Sequence, residues 1–195
     1  DFDKQLRDQS GQMLQEMGIV GDVAFRQAVE IFTEASGMPD DDEAAKTAKQ
    51  QAYAAALTEF QSVATDAPSY ERALVYQARS LAGMGQPDDA LAKFDELLAR
   101  VEDSSFDPTN PKDRQRREQA LAECLYWKAD LLLDKAVNRP AEALALLEGF
   151  EERLAGQAGF FEQVKYQRIT AHAGAGQPSE ADAALDELRE YSPES

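Results

Sequence analysis

The sequence predicts an all-α fold, and three observations carry that expectation. First, 195 residues hold 33 Ala and 19 Leu against 17 Val, Ile and Thr together. Ala and Leu lose little on entering a helix, whereas β-branched side chains are stiff at χ1 and favour strands. Second, no stretch sustains apolar/polar alternation between hairpin turn pairs. Third, one break occurs twice, as Ala82-Gly83-Met84-Gly85-Gln86-Pro87 and as Ala173-Gly174-Ala175-Gly176-Gln177-Pro178. Gly accepts the left-handed conformation at a helix C-terminus, and Pro suits the first turn of the next helix, where its missing N–H is not needed. Asp88, Asp89 and Glu180 complement the positive end of the helix dipole. The small Ala90 and Ala181 then let two helices approach closely, so each break reads as the corner of a helical hairpin.

The elements follow in order. Residues 3–17 read as a first helix on Leu6, Met13, Leu14 and Met17, ended by Gly18 to Gly21. Asp22 is the expected N-cap of a second helix reaching Ser36, with Val23, Phe25, Val29 and Phe32 inward. Gly37-Met38-Pro39 turns the chain, and Asp40-Asp41-Asp42-Glu43 opens an Ala-rich helix reaching Thr65. The hairpin around Pro87 comes next. Asp103 to Pro111 carries two prolines and several turn formers, so it reads as an inserted loop. A long helix is expected from Lys112 to Val137, then a turn at Asn138-Arg139-Pro140 and a helix bearing Ala143, Leu147 and Phe150. The hairpin around Pro178 closes the chain.

The spacing of these residues resembles the tetratricopeptide repeat, a helix–turn–helix unit of about 34 residues. Residues 71–104 match at Ala78, Leu81, Gly85, Ala90, Phe94 and Leu97, and residues 162–195, within a unit set at 158–195, at Gly176, Ala181, Leu185, Leu188 and Pro193, with Ile169 where a small residue is usual. Residues 37–70 and 122–157 are degenerate units, residues 105–121 a loop with a helix extension, and residues 1–36 a helical pair or cap. The resemblance implies a right-handed α-α superhelix of antiparallel hairpins, with seven to eight helices in all. It also implies that partners bind along the concave face formed by the first helix of each unit. Carried over position by position, that face holds Arg72, Tyr76 and Arg79 in one unit. It holds Glu123, Tyr126 and Asp130 in the next, with Trp127 and Leu133 beside them, and Gln163, Tyr166 and Thr170 in the last. A chaperone-type carboxylate clamp is not expected, because Val75 and Tyr76 depart from its Lys, Asn and Arg positions.

Charge and chemistry narrow the function. Asp and Glu number 37 against 20 Lys and Arg, a net charge of −17. Nucleic-acid affinity comes from cations neutralising phosphates, so nucleic acid is excluded as the expected partner, as is docking on anionic lipid. No apolar run is long enough to span a bilayer. One dense basic cluster stands out, Lys112, Arg114, Arg116 and Arg117, with acidic neighbours available to pair it. His172 and Cys124 are each the single residue of their type, so no Cys/His metal set or nucleophilic dyad can be argued. Asp40–Glu43 lacks the alternate spacing and central Gly of a calcium loop. No cofactor or metal is expected. The expected function is a non-catalytic interaction scaffold for a peptide or protein segment. The alternative is a structural spacer that self-associates as a homo-oligomer within a longer, envelope-associated bacterial polypeptide, consistent with a chain that opens on Asp1. An enzyme would have to work through a carboxylate pair such as Glu123 and Asp130, which lie seven residues apart on one helical face.

Overall fold

The computed structural model describes residues 19–102, 109–153 and 160–191. Among these residues the chain forms nine helices and no strand. They are α1 (Ile19–Gly37), α2 (Glu43–Gln61), α3 (Tyr70–Gly83), α4 (Pro87–Glu102), α5 (Pro111–Leu133), α6 (Pro140–Leu147), α7 (Phe150–Arg153), α8 (Phe161–Gly174) and α9 (Pro178–Tyr191). The helix expected over 3–17, most of the inserted loop and Pro193 lie outside the described residues. The chain divides into two compact units, Asp1–Lys93 and Phe94–Ser195, with the boundary inside α4.

In the first unit α1 packs on α2, α2 on α3, and α1 on α3. Residues 19–61 therefore close into a hairpin around the Gly37-Met38-Pro39 turn. Asp42, extended at φ −138° and ψ 171°, caps α2 by accepting from the Ala45 N–H at 2.7 Å. The core here is aromatic. Phe25, Phe32, Tyr53 and Phe60 are buried, and Tyr76 stacks on Phe60 with centroids 5.0 Å apart. Phe32 meets Tyr53 at 5.4 Å and Phe25 meets Phe60 at 5.8 Å, the tilted geometries that ring quadrupoles favour. α2 and α3 come so close that a Cβ at Gly83 would stand 2.5 Å from the Tyr53 ring.

In the second unit α5 packs on α6, α6 and α5 on α8, and α8 on α9. The short α7 apart, successive helices of this unit pack on one another, and α5 also reaches α8. Ala122, Leu125 and Ala129 of α5, Leu147 of α6, Phe150 of α7 and Val164 of α8 form one buried cluster. Asn110 caps α5 by accepting from the Lys112 N–H, with Pro111 at the first helical position.

The two recurring breaks fold alike. Gly85 and Gly176 take left-handed φ of +77° and +73°. The Gly85 N–H donates to Ala82 O and the Gln86 N–H to Leu81 O, while Gly176 and Gln177 donate in the same register to Ala173 O and His172 O. These paired bonds are Schellman caps, which satisfy carbonyls that a helix end leaves over.

Four boundaries differ from expectation. The helix is already formed at Ile19, so Asp22 lies inside α1 rather than capping it, and Val23, expected inward, is exposed. α2 ends at Gln61 rather than Thr65, with Ser62 as its C-cap. α5 stops at Leu133 rather than Val137, because Asp134 leaves the helix at ψ 140° and its Oδ1 accepts from the Ala136 N–H at 2.8 Å. Such a side-chain turn competes with the helical ladder. Asn138, at φ +51°, then turns the chain toward Pro140. The helix expected to carry Ala143, Leu147 and Phe150 is broken by Gly149 at φ +65° into α6 and α7. All three residues are still buried. With that split the described residues alone hold nine helices, against seven to eight expected for the whole chain.

Candidate functional site

The second unit holds a groove of about 900 Å³ walled by α5, α8 and α9. α5 contributes Tyr126, Asp130 and Leu133, followed by Asp134 at its C-cap. The 3.6-residue period brings Tyr126, Asp130 and Leu133 to one face of α5, and Glu162, Gln163, Tyr166, Gln167 and Thr170 to one face of α8. Leu185, Leu188 and Arg189 come from α9. Tyr166 is 65% exposed, the highest exposure of a large apolar residue among those described. Tyr126 packs edge-on against Trp127 at 4.9 Å and Phe160 at 6.3 Å, which fixes its ring.

The groove is acidic. Asp130, Asp134, Glu162 and Arg189 are its charged lining residues; Asp130 and Glu162 have partners, and Arg189 Nη1 is 3.2 Å from Asp186 Oδ1. Gln167 is buried at 5% exposure and donates from Nε2 to Tyr126 O at 3.0 Å. Its Oε1 has no hydrogen-bond partner.

The residues named from the sequence fall in three places. Tyr126, Asp130 and Tyr166 meet in this groove, with Leu133, Gln163 and Thr170. Arg72, Tyr76 and Arg79 are instead engaged by α1 within the first unit. The Arg72 guanidinium lies 5.4 Å from the Phe25 ring, and that of Arg79 4.7 Å from Phe32 and 4.9 Å from Tyr76. Glu123 is half-buried and accepts from Gln119 Nε2 at 3.0 Å, so Glu123 and Asp130 do not form a facing carboxylate pair in the groove.

The basic cluster sits on the first turns of α5. Arg117 Nε donates to Val101 O, Arg116 is partnered, and Lys112 and Arg114 are exposed. From Arg117 to Tyr126 is nine residues, roughly 13 Å along the helix, so this cluster is not part of the groove wall.

The groups that could do chemistry are engaged elsewhere. Burial pushes the Cys124 thiol from its ordinary 9.0 up to about 12, and its Sγ lies 3.5 Å from Phe94 O. It is a neutral thiol near neutral pH, not a nucleophile. His172 Nδ1 pairs with Gln177 Oε1 at 2.8 Å across the Schellman turn. Among the described residues no three His, Cys, Asp or Glu side chains are grouped to hold a metal ion. No described helix is long and apolar enough to cross a membrane.

Sequence reasoning missed Asp134, Glu162, Gln167 and the α9 wall. The signal for Gln167 was its place four residues after Gln163, on the stripe already chosen. That for Leu185 and Leu188 was their i, i+3 spacing, which read only as core. Comparison of the chain with family models, curated proteins and solved structures found no match.

Proposed function

We propose that this chain is a non-catalytic interaction module of tetratricopeptide type, whose hairpins stack in a right-handed superhelix and whose second unit binds a peptide or protein segment. The observation that carries this reading is the groove itself. Three side chains singled out by their repeat position, Tyr126, Asp130 and Tyr166, wall one continuous cleft. Exposed Tyr on a rigid helix face supplies large contact area at low entropic cost, which is how binding hot spots are built. The packing order of α5, α6, α8 and α9 supports the same reading, since solenoid units meet only their neighbours.

The test is selection of a random peptide library on the immobilised protein, repeated on a Tyr126→Ala/Tyr166→Ala variant. Peptides held by the wild type and lost by the variant are expected. Peptides held equally by both would place binding elsewhere. The handedness and stacking are checked separately by a crystal structure.

A further inference from the structure

We infer that the first unit carries a site of its own, which takes the phosphate group of a small soluble molecule and stands whether or not the groove of the second unit binds a segment. The site is a cleft of about 310 Å³ walled by Asp40, Lys46, Lys49, Gln50, Tyr53 and Gly83. Lys46, Lys49, Gln50 and Tyr53 stand at i, i+3, i+4 and i+7 of α2, which makes them one continuous stripe of that helix. Gly83, in the last turn of α3, meets the stripe with bare backbone.

Tyr53 is 8% exposed, and its ring is held against Phe32 at 5.4 Å. Cζ, the carbon that bears the hydroxyl, is among the three atoms nearest the Cβ position of Gly83, at 2.7 Å. The hydroxyl end of the ring therefore reaches the Gly83 wall of the cleft. Among the described residues that hydroxyl has no hydrogen-bond partner, and it is not one of the sealed polar atoms, so it opens to solvent there. A buried tyrosine ordinarily pairs its hydroxyl. Here a side chain more than nine-tenths buried keeps its one polar group for the cleft.

The groups around it select the ligand. An ammonium has three donors and no acceptor. Lys49 spends one on Asp40 Oδ2 at 3.3 Å, and Lys46 spends one on Glu43 Oε1 at 3.0 Å. The Gln50 amide nitrogen is committed only to Met84 O, at 3.4 Å. Two ammoniums, a phenolic hydroxyl and an amide together match a group with several acceptor oxygens and more than one negative charge. A phosphate monoester offers three such oxygens and a charge of about −1.5 to −2 near neutral pH. A carboxylate offers two oxygens and a single charge. The side chains of Asp40 and Glu43 are 65% and 91% exposed, and ion pairs so open to water are weak enough to yield. The amide end of α2 is not the attraction, because Asp42 already accepts from the Ala45 N–H. The volume lies at the small end of ligand pockets, which suits a small molecule rather than a length of chain.

The experiment follows the amide signals of the full nitrogen-15-labelled chain by NMR near neutral pH. Sodium phosphate, glycerol 3-phosphate or sodium acetate is added at constant ionic strength. Saturable shifts centred on Lys46 to Tyr53 and Gly83 are expected with both phosphates, and a much weaker response with acetate. Tyr53→Phe removes only the hydroxyl and is expected to weaken phosphate about tenfold, as one hydrogen bond to a charged group would. Lys46→Gln/Lys49→Gln is expected to abolish saturation. Lys112→Gln/Lys135→Gln removes equal charge from exposed positions of the second unit and is expected to change affinity by less than about twofold. Asp40→Asn withdraws a carboxylate that competes for Lys49 and is expected to tighten phosphate about threefold.

Shifts that rise without saturating overturn the site. So does undiminished binding in Tyr53→Phe or in the cleft lysine variant, and so does a control that loses as much as that variant. Acetate bound as tightly as phosphate overturns the choice of phosphate. Inorganic phosphate that binds while glycerol 3-phosphate does not overturns a phosphate-bearing molecule as the occupant. Weaker binding in Asp40→Asn overturns the anionic sign. The spectrum of each variant verifies its fold; if Tyr53→Phe does not fold, the lysine and Asp40→Asn variants, which change side chains outside the core, decide the outcome.

Discussion

A methyl group at Gly83 would stand 2.5 to 2.7 Å from three atoms of the Tyr53 ring, and that ring is itself buried against Phe32. Replacing Gly by Ala inside a helix ordinarily gains about 0.5–1 kcal/mol. Forcing extra volume into a packed core costs about 1–3 kcal/mol. The second effect is larger, so Gly83→Ala is expected to lower the urea midpoint at an unchanged slope. Gly37, which has nothing within 4 Å of its Cβ position, provides the contrast: Gly37→Ala is expected to leave the midpoint unchanged or raise it. Cys124 offers a second prediction at this scale. The unfolded thiol ionises near 9.0 and the folded one near 12, so rising pH removes the proton from the unfolded chain first. The stability this thiol contributes is whole below pH 9 and is lost as pH climbs from there to about 12. At pH 8 a thiol reagent is therefore expected to label Cys124 only as fast as the second unit opens, and at once in denaturant. Glu142 behaves oppositely. The Arg139 guanidinium, donating from Nε and Nη2 to its two oxygens at 2.5 Å each, holds its carboxyl below the usual 4.5, so that contribution is present above pH 4.5 and lost as pH falls.

α1 shows how a single element changes the meaning of others. Phe25 and Phe32 lie against Tyr76 and the guanidiniums of α3, so residues that repeat spacing assigns to a binding face become a packed layer. Phe32→Ala is expected to cost about 3–5 kcal/mol, because the ring touches Tyr53, Phe60, Tyr76 and Arg79 and leaves a cavity among rigid groups. Thermal unfolding checks the size of that loss. The sequence made the helices legible because their ends are written in local chemistry: Asp42 before α2, Gly85-Gln86-Pro87 and Gly176-Gln177-Pro178 at the two corners, Asn110-Pro111 before α5. It did not reveal which exposed stripe is covered. Arg79 and Tyr166 follow the same rule of spacing, and only the packing of α1 separates a side chain over two aromatic rings from one open to solvent. The end of α5 was misread for a related reason. Leu131, Leu132 and Leu133 continue the helical period, but Asp134 closes a turn on the Ala136 N–H that no periodicity shows. Gln167 could have been named from its place four residues after Gln163, but its unsatisfied Oε1 leaves no mark in a sequence.

For the whole molecule the dominant quantity is the net charge of −17. Like charges on a compact body repel and destabilise it, and salt screens them over about 10 Å at 0.1 M. The melting temperature is therefore expected to rise between 10 mM and 150 mM sodium chloride, a series that differential scanning fluorimetry reads directly. Exposed ion pairs such as Lys46–Glu43 and Arg189–Asp186 weaken over the same range, but pairs of this kind contribute little. The repulsion prevails, and the sign of the shift tests that ranking. The groove has a further consequence, in time rather than in energy. Were it to hold a segment as proposed, the length of that segment's stay would be set by Tyr126, Tyr166 and the leucines beside them, so Tyr126→Ala and Tyr166→Ala would be expected to speed departure more than they slow arrival.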